Sequence, residues 1–309
     1  MIKTAMINLV LASFIAGCGD SKQNSSAENK SDSTSGNSQT EDNRSTDTIK
    51  AYASVNGLKI YYEITGTGQP LILLHGGFGN TEMFMPARAA LTKNYKVIAV
   101  DLQGHGRTAD IDRPIVPDSM ANDIAALIKE LNLGKTNIAG YSLGGVVALR
   151  LAIQHPELLQ NVVLVSCPFK RKGWFPDLLT QQDQMGPASA EALKQSPLYQ
   201  SYLKLAPKPE DWTRLVTKMA VAIQRDYDWS KEVATIKLPV LLVYADADGI
   251  MPGHMAEFFK LLGGGLKDGG WDGSARPTSQ LAIIPGHTHY DISMAPVLPE
   301  VIIPFLNKK

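Results

Sequence analysis

A chain of 309 residues with 44% hydrophobic and 19% charged side chains carries enough apolar surface for one sizeable core, and one large domain fits it better than two. Its 30 basic side chains balance 30 acidic ones without clustering, which removes the electrostatic footprint of a nucleic-acid binder or of a protein drawn to an acidic surface. Small neutral molecules are the class of partner that remains.

Lys3 is followed by an apolar run over residues 6–16, too short to cross a bilayer and of the length of a signal h-region. The run ends in Ile15-Ala16-Gly17-Cys18, which resembles the lipobox of bacterial lipoproteins, where cleavage precedes the cysteine and its thiol and new amine are acylated. The resemblance implies a signal peptide over residues 1–17, lipid at Cys18 and attachment to a bacterial membrane in the cell envelope, because several acyl chains anchor stably where one does not. Residues 19–48 are Ser, Asn, Asp, Thr, Glu and Lys with almost no apolar side chain, so burial cannot offset the entropy of ordering them and a flexible linker is expected. Cys167 is the second and last cysteine. A mature chain lipidated at Cys18 then has no intramolecular disulfide, and the position of Cys167 after the apolar run 161–166 predicts a buried, inert thiol.

From residue 49 to 309 short β-rich runs alternate with amphipathic segments, the pattern of a mostly parallel sheet with helices on both faces. Residues 51–55 and 59–64 flank Asn56-Gly57 and predict an antiparallel hairpin at a sheet edge. Buried parallel strands are expected at 71–74, 97–100, 136–140, 162–165, 240–244 and 281–284, and helices at 81–92, 118–131, 144–154, 253–262 and 297–306. Residues 168 to about 232 break the alternation with Pro, Trp, Tyr and Met in short helical stretches and no good strand, which predicts a helical cap inserted between two strands.

Gly140-Tyr141-Ser142-Leu143-Gly144 lies between a predicted strand and a predicted helix, the context in which G-x-S-x-G forms a nucleophile elbow. A sharp turn there exposes the Ser142 hydroxyl at a helix N-terminus, which favours developing negative charge. A serine hydroxyl is a weak nucleophile, so it needs a base within hydrogen-bond reach and a third group to orient that base.

At the C-terminal end, Ile284-Pro285-Gly286-His287-Thr288-His289-Tyr290 resembles the α/β-hydrolase superfamily, in which the base sits two or three residues beyond a Pro-Gly turn after the final strand. His289 matches that position best and His287 competes with it. Ala245-Asp246-Ala247-Asp248 after the run 240–244 is similar to the family's acid loop; the resemblance puts Asp248 in the catalytic slot and Asp246 where a loop-stabilising carboxylate stands, with Ala245 departing from the usual glycine. His75-Gly76-Gly77-Phe78-Gly79 looks like the family's oxyanion loop. It implies backbone donors at Leu143 and at Gly77, with Phe78 the alternative, and a structural role for His75. Asp101-Leu102-Gln103-Gly104-His105-Gly106-Arg107-Thr108 resembles a loop diagnostic of the fold. His105, His155 and His254 have no partner at ligand spacing and read as packing residues, so no metal and no cofactor is expected.

These residues imply a serine hydrolase that cleaves a small carboxylic ester through an acyl-enzyme. Ser142 stands where haloalkane dehalogenases and epoxide hydrolases of this fold use Asp, which excludes those chemistries. Lactonase, thioesterase, amidase and carbon–carbon hydrolase activities remain alternatives, as does a ligand sensor that keeps the triad and signals through its cap. The apolar cap side chains Trp174, Phe175, Met185, Tyr199, Tyr202, Trp212 and Met219 read as packing between cap and core.

Overall fold

The computed structural model describes residues 47–308. The expected signal segment, Cys18 and all but the end of the linker lie outside the described residues.

The chain enters as a hairpin, β1 (Ile49–Val55) against β2 (Leu58–Thr65), in antiparallel register with Val55 opposite Leu58. Asn56 and Gly57 both take positive φ, 48° and 78°, the tight turn that Asn-Gly adopts more readily than other pairs. Six further strands follow: β3 (Gln69–Leu74), β4 (Tyr95–Val100), β5 (Thr136–Tyr141), β6 (Leu159–Val165), β7 (Val240–Ala247) and β8 (Gln280–Thr288). The sheet order is β1-β2-β4-β3-β5-β6-β7-β8, with every pair from β4 to β8 parallel.

Helices supply the crossovers: α1 (Met85–Leu91), α2 (Pro117–Glu130) and α3 (Leu143–Gln154) come first. Between β6 and β7 lie α4 (Pro176–Asp183), α5 (Ser189–Leu193), α6 (Pro197–Leu205), α7 (Trp212–Gln224) and α8 (Ser230–Val233). Finally α9 (Pro252–Leu261) and α10 (Leu298–Leu306) close the chain.

Strand side chains alternate between two apolar layers, as a period of two dictates. On β3, Ile72 and Leu74 join α2, α3 and α9, whereas Leu71 and Leu73 join α1 and α10. Both faces are covered, so the central strands read as unbroken apolar runs, and Val162, Val163, Leu164 and Val165 are all fully buried.

One expected helix is shorter than its sequence pattern. Residues 81–84 form turns, because the Thr81 amide donates to Asp101 Oδ1 (2.7 Å) and the Glu82 amide to Asn80 Oδ1 (2.9 Å), and α1 starts only at Met85 with Pro86 in its first turn. Side-chain acceptors hold those amides in place of an intrahelical ladder.

The segment between β6 and β7 is fastened to the core by α7. The Lys218 ammonium donates to Asp110 Oδ2 (2.6 Å) and to the carbonyls of Ile111 (2.7 Å) and Arg113 (2.8 Å). Trp212 packs on Phe78 with ring centroids 5.7 Å apart.

Candidate active site

Ser142 is the single residue between β5 and α3, with φ 50° and ψ −113°. Its amide donates to Val165 O on β6 (2.9 Å), and its carbonyl accepts from Val146 N (2.9 Å), so the turn is locked into both the sheet and the helix. The flanking glycines are demanded by close backbone. A Cβ on Gly140 would stand 2.2 Å from Gly144 O, and one on Gly144 would stand 2.2 Å from Leu74 O. The sharp bend lifts the hydroxyl to the N-terminus of α3, where unpaired amides concentrate positive potential.

His289 follows β8 directly, and its Nε2 lies 3.1 Å from Ser142 Oγ. Its Nδ1 lies 3.0 Å from Asp248 Oδ1. An ionised carboxylate only accepts, so Nδ1 carries the proton and the Nε2 lone pair faces the serine. The imidazole is 6% exposed and is flanked by Trp174 (centroids 4.8 Å apart), Tyr141 (5.5 Å) and Tyr290 (5.5 Å). The competing base, His287, stands apart from the serine with its Nδ1 3.6 Å from Asp291.

Asp248 sits beyond β7 with its side chain out of solvent, and four donors meet its two oxygens. Oδ1 accepts from His289 Nδ1 and from the Ile250 amide (3.1 Å); Oδ2 accepts from the Ser166 hydroxyl (2.5 Å) and the Ala245 amide (3.2 Å). Burial pushes the carboxyl up, but the hydrogen bonds and charge of His289, with the Ser166 and Ala245 donors, outweigh it and hold the group below its ordinary value. Asp246 does separate work. The expected Pro-Gly turn is absent, because β8 runs through Pro285 and Gly286 to Thr288; Asp246 Oδ1 accepts the amides of Gly286 (2.9 Å) and His287 (3.3 Å), tying the end of β7 to the stretch of β8 that precedes His289.

The loop after β3 lies against the elbow, close enough that a Cβ on Gly76 would meet the Tyr141 ring at 2.7 Å. His75 is fully engaged: Nδ1 donates to Gly76 O (2.7 Å) and Nε2 accepts from the Leu102 amide (3.0 Å). Burial first, then His105, lowers its imidazole to about 3, so it stays neutral. Among the described residues, the amides of Gly77, Phe78 and Leu143 donate to no protein acceptor. Phe78 holds φ 60°, and Met219 of α7 roofs Gly77, its Cε 3.1 Å from where a Cβ would stand.

Three neighbours of the site are assigned to it by no motif, Trp174 being expected only as packing between cap and core. Ser166 touches Asp248, the Tyr141 phenol donates to His289 O (2.5 Å), and Trp174 stands edge-on to the His289 ring. In the sequence Tyr141 is the second letter of a pentapeptide, and Ser166 closes the apolar run 161–166. Cys167 is fully buried and burial raises its thiol well above the usual range. No group of three His, Cys, Asp or Glu that could hold a metal ion occurs among the described residues.

The family described as alpha/beta hydrolase fold matches residues 69–209. The AB hydrolase superfamily protein YisY of Bacillus subtilis (strain 168) is 30% identical over 226 residues, 65% of this chain and 82% of that protein. The pimeloyl-(acyl-carrier protein) methyl ester esterase of Vibrio cholerae is 28% identical over 227 residues, 64% of this chain and 84% of that protein. Among solved structures, the enol-lactonase from Burkholderia xenovorans LB400 superposes with a TM-score of 0.62 at 21% identity, covering 83% of this chain and 100% of that one, a likeness of fold.

Proposed function

This chain belongs to the α/β-hydrolase superfamily and is a hydrolase of small molecules, and we propose that it cleaves a small carboxylic ester through an acyl-enzyme carried on Ser142. The observation behind this reading is the unbroken relay from Ser142 Oγ through the His289 ring to Asp248, with links of 3.1 and 3.0 Å. His289 Nε2 takes the hydroxyl proton as Oγ attacks the ester carbonyl, and Asp248 keeps the ring in the required tautomer and balances its charge. The amide of Leu143, with that of Gly77 or Phe78, donates a hydrogen bond to the oxyanion that develops on the carbonyl oxygen. His289 then returns the proton to the departing alcohol. Water attacks the acyl group by the same route in reverse and frees the acid.

A panel of nitrophenyl esters of increasing acyl length, with thioesters and lactones alongside, tests the bond and the pocket together. The expected result is ester turnover that Ser142→Ala lowers by roughly 10^4-fold or more. Turnover unaffected by Ser142→Ala would remove the serine from the mechanism, and a clear preference for another bond would move the reading to that bond.

We further propose that the enzyme is held at a bacterial membrane by lipid on Cys18, a reading supported by Ile15-Ala16-Gly17-Cys18 after its apolar run. Cys18→Ala is expected to shift the protein out of the detergent-extracted membrane fraction; full retention there overturns the anchor.

A further inference from the structure

Ser166 directly follows β6 in a backbone conformation that its residue type does not favour. Five non-glycine residues among those described hold positive φ: Asn56, Phe78, Asn132, Ser142 and Ser166. Asparagine tolerates the left-handed region; phenylalanine and serine do so poorly. The two serines belong to or touch the relay, which is where strained backbone tends to be retained when its side chain has a task.

The strand next door enforces the Ser166 conformation. The Ser166 amide donates to Val243 O on β7 (2.8 Å), and the carbonyl of Cys167 accepts from the buried Tyr244 phenol (2.8 Å). Ser166 itself is 0% exposed, and its hydroxyl has one acceptor, Asp248 Oδ2. We propose that Ser166 is a positioning residue for the hydrolytic reaction: its left-handed backbone aims a hydroxyl at the far oxygen of Asp248 and so fixes the carboxylate plane that His289 reads.

The physical reason is rotational. A carboxylate held on one oxygen can turn about its Cβ–Cγ bond and carry Oδ1 out of the plane of the imidazole. On the second oxygen the Ser166 hydroxyl, at 2.5 Å, is the shorter of two contacts, the Ala245 amide standing at 3.2 Å. Without it, Oδ2 keeps only the longer Ala245 hydrogen bond, while His289 and Ile250 still meet Oδ1.

This inference rests on the serine-hydrolase reading, and two variants with two readouts separate them. Ser166→Ala and Ser166→Gly both delete the hydroxyl, but only glycine also relieves the backbone. Both are expected to lower kcat for a nitrophenyl ester by roughly 10- to 100-fold, the worth of one hydrogen bond to a charged group, with KM within about twofold of wild type. Ser166→Gly should be the more stable of the two. In both, the downfield proton resonance of His289 Nδ1 should move or broaden. Wild-type kcat in Ser166→Gly, or a fall in kcat with the resonance unmoved, overturns the proposal. If the unaltered protein turns over no ester, the functional reading fails on its own, while the resonance still reports whether Ser166 sets the Asp248–His289 bond.

Discussion

The phenol of Tyr141 donates a 2.5 Å hydrogen bond to the backbone carbonyl of His289. The residue immediately before the proposed nucleophile therefore holds the loop that carries the proposed base, although 148 positions separate the two in sequence. Tyr141 is the last residue of β5, so the strand that presents Ser142 also braces the backbone of His289. Tyr141→Phe keeps the ring but leaves a nearly enclosed carbonyl with one donor fewer. It is expected to lower stability by about 1 kcal/mol and to lower kcat more than it changes KM, measured by denaturant melts and ester kinetics. A variant that loses stability with kcat intact would limit Tyr141 to a folding role.

Gly144 and Gly134 make a controlled pair. A methyl at Gly144 collides with two backbone oxygens, Leu74 O at 2.2 Å in the last residue of β3 and His75 O at 2.6 Å in the residue after it. Gly134 has φ 67° and nothing within 4 Å of the same methyl. Gly144→Ala should therefore cost at least about 3 kcal/mol or prevent folding. Gly134→Ala should cost about 1 kcal/mol from backbone strain alone. Equal effects in thermal melts would contradict the packing described for the elbow.

The grip of α7 on the core runs through Lys218. The side chain of Asp110 is 3% exposed, and without the ammonium it keeps only the Gln103 amide at 2.8 Å. Lys218→Met should destabilise the protein by about 3–5 kcal/mol, because a buried carboxylate loses its countercharge. Adding Asp110→Asn should restore part of that loss. A double-mutant cycle with no coupling energy would show that the pair does not hold the segment down.

Acid should unfold this protein through its buried imidazoles. Burial, first in each case, lowers His75 to about 3, His105 to about 4 and His254 to about 4, against an ordinary 6.5. Below 6.5 the unfolded chain binds protons that the folded chain refuses, so this stability is complete above that value and is lost as pH falls toward 4. Each group contributes a slope of up to about 1.4 kcal/mol per pH unit. Asp101 works in the opposite sense: burial raises it to about 6 against the amides of Arg107 and Thr81, so its contribution is greatest below 3.8 and is lost as pH rises through 6. Three groups outweigh one, and the Tm is expected to fall steadily from pH 6.5 to 4. A flat profile would mean that the imidazoles find solvent or a hydrogen-bond acceptor when charged.

Much of this arrangement was legible in the sequence because it is written locally. Asn56-Gly57 marked the hairpin, unbroken apolar runs marked the buried strands, and Gly140 to Gly144 marked the elbow through a steric need that the collisions at Gly140 and Gly144 make explicit. What was illegible depends on lateral neighbours. Ser166 meets Asp248 only because β6 lies beside β7, and Tyr141 meets His289 across two further strands. No period or motif encodes such a meeting. The start of α1 differs from its sequence pattern for the same reason, since the acceptor that holds the Thr81 amide is Asp101, on the next loop of the sheet.

The five helices that roof the molecule enter after β6 and leave before β7, two strands already joined side by side with Val162 opposite Val240. A parallel neighbour demands a long return journey in any case, and closing a longer loop adds only slowly to its entropy. This roof is therefore replaceable: mutation can redraw, lengthen or exchange it while the ladder beneath keeps its register. A lineage built on such a frame can change what it admits without relearning how to fold.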